Sequence, residues 1–191
     1  LLSSPQTLPR MNFASGIPRA SRTLVVVPTM LGSAQGTADL VEALEVRFLA
    51  NRDAQLYFAL LTDFRDAPQA VCDTDAAQLA HAGECIAQLN RKYRGPDDET
   101  PGGDRFFLLH RPRLWNPREG VWMGQERKRG KLADLNALLR GDADGRFSHI
   151  VGDGASLVGS RYVITLDSDS QLPRDATRRR RYSDGGAENT G

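Results

Sequence analysis

The sequence predicts an α/β protein, a three-layer α/β/α sandwich built around a mainly parallel sheet. Four short apolar runs, at residues 23–27, 56–61, 106–110 and 162–166, have the length and composition of buried strands. Between them lie segments whose apolar residues recur every three or four positions, as on one face of a helix. Alternation of strand and helix builds parallel sheets covered by helices. In such sheets the ligand crevice lies beyond the carboxyl ends of the strands.

Taken in order, residues 1–22 contain Pro5, Pro9 and Pro18 and read as a linker-like lead-in. Residues 23–27 are apolar on both faces, as a central strand is, and Pro28 and Thr29 end the run. Over 37–50, Leu40, Val41, Leu44, Phe48 and Leu49 keep helical spacing, with Asn51 at the position of a cap. The strand at 56–61 is followed by an acid, Asp63. Asp73 or Thr74 then caps a helix running to Tyr93, with the stripe Leu79, Ala82, Ile86, Leu89 and Tyr93, and Gly95-Pro96 stops it. A polar Gly/Pro-rich loop leads to the strand at 106–110, and the aromatic segment from Trp115 to Met123 has no regular period. A helix over 131–140 buries Leu132, Leu135, Leu138 and Leu139 and ends at Gly141, before a Gly/Asp-rich connection to the last strand. There is no internal repeat.

At 191 residues, with 40% hydrophobic and 26% charged residues, the chain has room for one domain, or part of one, with a real core. The formal charge of +1 is set by the tail, where four arginines face Asp184 and Glu188 for a net +2, leaving −1 for the body. A near-neutral body excludes a basic nucleic-acid surface. Cys72 and Cys85 have neither a disulfide-framework spacing nor a zinc spacing, which fits a reducing compartment. His81, His110 and His149 are scattered and read as structural or solvated. No apolar run reaches transmembrane length and no secretory signal is present, so the chain is expected to be cytoplasmic. It starts at Leu1 and turns after Asp175 to a stretch without apolar period, so it reads as a fragment with an aberrant, disordered tail at 176–191.

The strand at 162–166 delivers Asp167 to its carboxyl end, and Asp169 follows two residues later. Side chains at i and i+2 of an extended chain point the same way, so both carboxylates can converge on one cation. This suits a hard divalent ion, Mg2+ or Mn2+, clamping the diphosphate of a sugar nucleotide; it also suits an ordinary Asp/Ser turn. The Asp63 carboxylate can accept hydrogen bonds from a uracil N–H or ribose hydroxyls, or simply terminate a strand. Lys128, Arg129 and Lys131 stand near a helix start, where cations and free N–H groups together hold diphosphates, although a solvated basic turn has the same composition. Trp115 and Trp122 read first as packing residues and second as a surface for a sugar ring. The arginines at 178–181 read as a solvated tail, with phosphate contact as the other possibility.

The order LVVVPT, LLTD, KRGKLADLN and YVITLDSDSQLP resembles the nucleotide-binding half of a family 2-like inverting glycosyltransferase of the GT-A fold. The longer phrases LPRMNFASGIP, RTLVVVPTML, FALLTDFRDAP, FFLLHRPRLWNPREGVWMGQERKRGKLADLN and RYVITLDSDSQLPRDA are similar to the cyclic β-1,2-glucan synthases, glycosyltransferase family 84. The resemblance runs from about residue 8 to residue 175. It implies a UDP-glucose donor, a divalent cation, a β-1,2-glucan acceptor, and a place in a larger synthase at the cytoplasmic face of a bacterial inner membrane. By position, it implies a uridine contact for Asp63; Pro28 and Thr29, at the carboxyl end of the first strand, border the same crevice and are expected to line the donor site. Lys131 and Asn136 match K-x-x-x-L-N, with Lys131 reaching the diphosphate beside Lys128. Asp167 and Asp169 match the D-x-D, with Asp169 foremost for the metal. The family's general base and its Q-x-x-R-W are absent, so residues 23–175 are expected to form a GT-A domain incomplete at its C-terminus. Such a chain would bind donor and transfer little. The other readings are a non-catalytic nucleotide-binding or interaction module and an incompletely folded truncation product with an uncovered sheet edge.

Overall fold

The computed structural model describes residues 16–94, 103–142 and 145–167. Its elements are β1 (Thr23–Leu31), α1 (Ala34–Ala50), β2 (Leu56–Phe64), α2 (Asp75–Tyr93), β3 (Phe106–His110), β4 (Leu114–Asn116), β5 (Val121–Met123), α3 (Arg127–Leu139), β6 (His149–Val151) and β7 (Tyr162–Thr165). Five strands form one sheet in the order β6-β3-β2-β1-β7, parallel except for β6, and β4-β5 is a separate antiparallel hairpin. The protein is thus mixed α/β with a mainly parallel sheet.

Alternation along the strands divides the core in two. Val25, Val27, Phe58, Leu60, Phe106 and Leu108 meet Val41, Leu44 and Phe48 of α1 and Ala82, Ile86 and Leu89 of α2. Leu24, Val26, Tyr57, Ala59, Leu61, Phe107 and Leu109 meet Leu135, Leu138 and Leu139 of α3. Helices therefore cover both faces of the sheet, and the strands are apolar on both sides for that reason. Phe48 locks the first cluster, edge-on to Phe58 and Phe106 with centroids 5.8 and 5.0 Å apart.

Two strands run further than their apolar runs. β1 continues through Pro28 to Leu31, in register with β2 from Thr23↔Leu56 to Leu31↔Phe64. Leu166 donates its N–H to the Val26 carbonyl at 3.0 Å, so Val26, and with it Pro28 two residues on, turns its backbone groups toward β7. β7 registers only with residues 23–26, so the N–H that Pro28 lacks breaks no ladder bond. The apolar run of β2 stops at residue 61, but Thr62, Asp63 and Phe64 continue the strand fully buried, because Asp63 meets cations inside the protein.

The helices also start differently. α1 begins three residues before the predicted start, where the Ser33 hydroxyl accepts from the Gly36 N–H at 3.1 Å. α2 begins at Asp75, with no side-chain cap from Thr74; Asp75 itself accepts from the Cys72 N–H at 2.8 Å. α3 begins at Arg127, so the basic run forms its first turn.

The segment read as irregular holds the β4-β5 hairpin, and the Gly/Asp-rich connection holds β6 on the β3 edge. Elements of three residues are too short to show a period. The last strand, expected to be buried, leaves Tyr162 and Val163 39% and 41% exposed, since among the described residues it pairs with β1 alone. Residues 16–22 are tied to the body: Ile17 is buried in the first cluster and donates its N–H to Asp53 at 2.9 Å. Asp169, Gly95-Pro96 and the tail at 176–191 lie outside the described residues. No described helix is long and apolar enough to cross a membrane.

Candidate functional site

The strand order reverses at β1, with β2 and β3 on one side and β7 on the other. A crevice opens beyond the carboxyl ends of strands at such a point. The residues there are Pro28, Thr29 and Met30 after the middle of β1, Asp63 near the end of β2, Arg111 just past β3, and Asp167 just past β7.

Asp63 is the centre of a buried ion cluster. Arg111 donates to both of its oxygens, Nε to Oδ1 at 2.9 Å and Nη2 to Oδ2 at 3.0 Å, and Lys131 stands 3.3 Å from Oδ2. Arg111 Nη1 donates to Asp134 of α3 at 2.7 Å, and Arg146 adds a second cation to Asp134 at 3.1 Å. The Asp63, Arg111 and Lys131 side chains are each less than a tenth exposed. Burial alone disfavours the Arg111 charge, but its hydrogen bonds to Asp63 and Asp134 hold its proton more tightly than usual. Lys131 shifts the other way: burial outweighs the pull of Asp63 and lowers its pKa. The Lys131 ammonium also donates to the Thr29 carbonyl, joining the end of β1 to β2.

The turn into α3 closes over this cluster. A methyl group on Gly124 would stand 2.1 Å from the Asp63 carboxylate. One on Gly130 would stand 2.1 Å from the Gln125 carbonyl. Arg111 Nη2 caps the turn by donating to the Gln125 carbonyl at 3.0 Å. Glu126 and Arg127 take φ of 52° and 51°, a conformation that non-glycine residues pay about 1–3 kcal/mol to hold. Gly130→Ala is therefore expected to lower stability by about 1–3 kcal/mol, read from the midpoint of urea unfolding. A midpoint equal to the parent's would contradict the close packing.

Past the cluster the site is open. Lys128 of α3 donates to Asp167 across the reversal point, both side chains half exposed or more. Arg127 forms a two-pronged pair with Asp66 at 2.8 and 2.7 Å. Arg129 and Asn136 face solvent. Trp115 and Trp122 face each other across the hairpin with centroids 5.8 Å apart, and Trp115 is 50% exposed. On the far side of Arg111 lies a cleft of about 370 Å³ lined by Arg111, Pro112, Leu114, Gln125, Asp134, Gly145 and Arg146.

The structure thus brings Thr29, Asp63 and Lys131 into one cluster and Lys128 and Asp167 into one pair. It turns the Lys131 ammonium inward, and it fills the Asp63 carboxylate with Arg111. Arg111 and Asp134 were missed from sequence. Arg111 had a signal, a charge directly after the third apolar run, while Asp134 lay on the polar side of a helix with nothing to distinguish it. Among the described residues, no group of three or more His, Cys, Asp or Glu could hold a metal ion.

Fold and site together define an α/β protein with a charged crevice at the carboxyl edge of a parallel sheet. No protein-family model matches the chain. It is similar to the Cyclic beta-(1,2)-glucan synthase NdvB of Rhizobium meliloti (strain 1021), with 47% identity over 178 residues, 92% of this chain. The chain spans 6% of the length of that relative. It is related to a small part of a much larger glucan synthase, in line with the resemblance of its motifs.

Proposed function

We propose that the chain is the donor-binding portion of an inverting glucosyltransferase with the GT-A layout. It takes UDP-glucose with a divalent cation and serves the making of β-1,2-glucan within a larger membrane synthase. The observation that carries this reading is the Lys128–Asp167 pair at the reversal point of the sheet. A half-exposed carboxylate at a strand end holding a cation, next to the basic first turn of a helix, has the chemistry of a metal–diphosphate site.

Asp167 fits a hard cation, since an oxygen donor there already attracts positive charge. With Asp169 and the donor's phosphate oxygens, Asp167 would hold Mg2+ or Mn2+, which would supply charge neutralisation at the leaving diphosphate. In this reading Lys128, now paired with Asp167, would hold the diphosphate of a bound donor. Thr29 and Pro28 border the nucleoside. Asp63 and Lys131, held inward by Arg111 and the Thr29 carbonyl, position the turn that carries Lys128. Proton removal from the acceptor falls to residues of the larger protein, so the isolated chain is expected to transfer little or no glucose.

Titration calorimetry with UDP and Mn2+ tests the donor site. The chain is expected to give saturable heat that disappears in Asp167→Ala. A folded chain that gives no heat, or a variant that matches the parent, would count against donor binding and leave an interaction module as the function.

A further inference from the structure

We infer that Trp115 and Trp122 form a platform that binds the glucan acceptor chain beside the donor crevice; the choice of sugar rests on the glucosyltransferase reading above. The two residues are directly opposed in an antiparallel pair, so their indoles share one face of the hairpin. Their rings are tilted by 57°, and Trp115 is half exposed. The opposite face is partly covered: Met123 is buried and Asn116 Nδ2 approaches its sulfur at 3.1 Å, while Leu114 is exposed. On the aromatic face Trp115 is the exposed ring, with the partly buried Trp122 behind it.

The platform is rigid before anything binds. Trp122 exchanges two backbone hydrogen bonds of 2.9 Å with Ala67, which follows β2 by three residues. At the hairpin tip, Asn116 Oδ1 accepts from the Arg118 N–H at 3.0 Å and its carbonyl accepts from the Gly120 N–H at 2.8 Å. A surface fixed in its binding shape loses little entropy on binding.

Its position joins it to the crevice. The residue after β5 is Gly124, packed on the Asp63 carboxylate. Arg127 reaches back to Glu119 of the hairpin at 3.5 Å, and the next residue, Lys128, holds Asp167. The chemistry around the indoles is mixed, with Arg118 and Glu119 exposed at the tip. An indole face offers apolar contact to the C–H face of a pyranose, while charged side chains hydrogen-bond its hydroxyls. The core of a protein–protein interface instead excludes charges. Leu114, the neighbouring exposed apolar residue, lies on the other face by strand alternation.

Trp115 and Trp122 are the two tryptophans of the chain, so intrinsic fluorescence reports on the platform directly. Titration of the whole chain with a short linear β-1,2-glucan oligosaccharide is expected to give a saturable emission change. By calorimetry, Trp115→Ala is expected to weaken glucan binding at least about tenfold, as loss of a tryptophan anchor does, while its UDP and Mn2+ heat and its circular dichroism stay those of the parent. Asp167→Ala is expected to keep the glucan response, which separates this inference from the donor site: a folded parent chain that binds glucan but gives no UDP and Mn2+ heat would sink only the donor reading. No saturable response in the parent, or parent-like glucan affinity in Trp115→Ala, would overturn the inference. So would concentration-dependent self-association that Trp115→Ala removes in a chain with no glucan response, which would make the pair a protein-docking surface.

Discussion

Arg111→Met is expected to lower the unfolding free energy by about 3–5 kcal/mol, among the largest single effects in this protein. The substitution leaves the Asp63 carboxylate almost wholly buried with Lys131 as its remaining cation. It removes the donor that caps the Gln125 carbonyl, and it strips Asp134 of its inner partner. Breaking one side of a buried pair costs more than the pair is worth, because the surviving charge stays desolvated. The double variant Asp63→Asn/Arg111→Met is therefore expected to lose less than the sum of its single losses, a coupling that a double-mutant cycle measures in urea. Additive losses would mean that the two residues stabilise the fold independently. UDP calorimetry on Asp63→Asn adds a second readout, since a residue that only touched nucleotide would leave the urea midpoint unchanged.

The second large effect is on pH dependence. His110 is fully buried at the end of β3, its ring centroid 4.2 Å from that of Phe64 and its Nδ1 2.8 Å from the Thr62 hydroxyl. Its Nε2 has no hydrogen-bond partner among the described residues. Burial pushes its pKa down from 6.5 to about 4, against the opposing pull of Asp63 and Asp75. Above pH 6.5 both folded and unfolded chains carry it neutral. As pH falls from 6.5 toward 4 the unfolded chain takes up a proton that the folded one refuses, so stability falls, and below about 4 the loss levels off. The loss amounts to about 3 kcal/mol, because each tenfold difference in proton affinity between the folded and unfolded chains is worth about 1.36 kcal/mol.

Carboxylates act in a lower window. Burial opposes the charge on Asp75, but Arg113 holds its pKa below the usual value, and Lys92 does the same for Glu45. Their stabilisation is present above the carboxylate range and lost as pH falls through it. Chemical denaturation of the parent and of His110→Phe between pH 7 and 4 separates the windows: the variant is expected to show a flatter decline above about pH 4.5. Equal slopes would remove His110 as the cause.

Most of the fold was legible because buried strands and amphipathic helices leave local signatures. The runs at 23–27, 56–61, 106–110 and 162–166 each became a strand, and the Leu/Phe and Leu/Ile stripes became the buried faces of α1, α2 and α3, apart from Leu49, which is exposed at the end of α1. Errors gathered where local pattern and tertiary partner disagree. Asp63 looked like a strand terminator, but Arg111 and Lys131 allow a carboxylate inside β2. The strained start of α3 at Glu126 and Arg127 has no periodic cue, since contact with Arg111 and Asp63 sets it. The hairpin and β6 are too short to announce themselves and owe their form to pairing with Ala67 and β3.

By itself the sequence determined the α/β class, the parallel strands, the acid at the end of the last strand and the relation to glucan synthases, all of which rest on residues within a few positions of one another. Only the tertiary structure decided which charges meet. Asp63 and Arg111 are 48 residues apart, Lys131 and Thr29 are 102 apart, and Lys128 and Asp167 are 39 apart. Such pairs form because the sheet order stacks strand ends side by side and a buried charge must find a counter-charge there. No local pattern records that choice, and it is what turned Lys131 inward and left Lys128 to face Asp167.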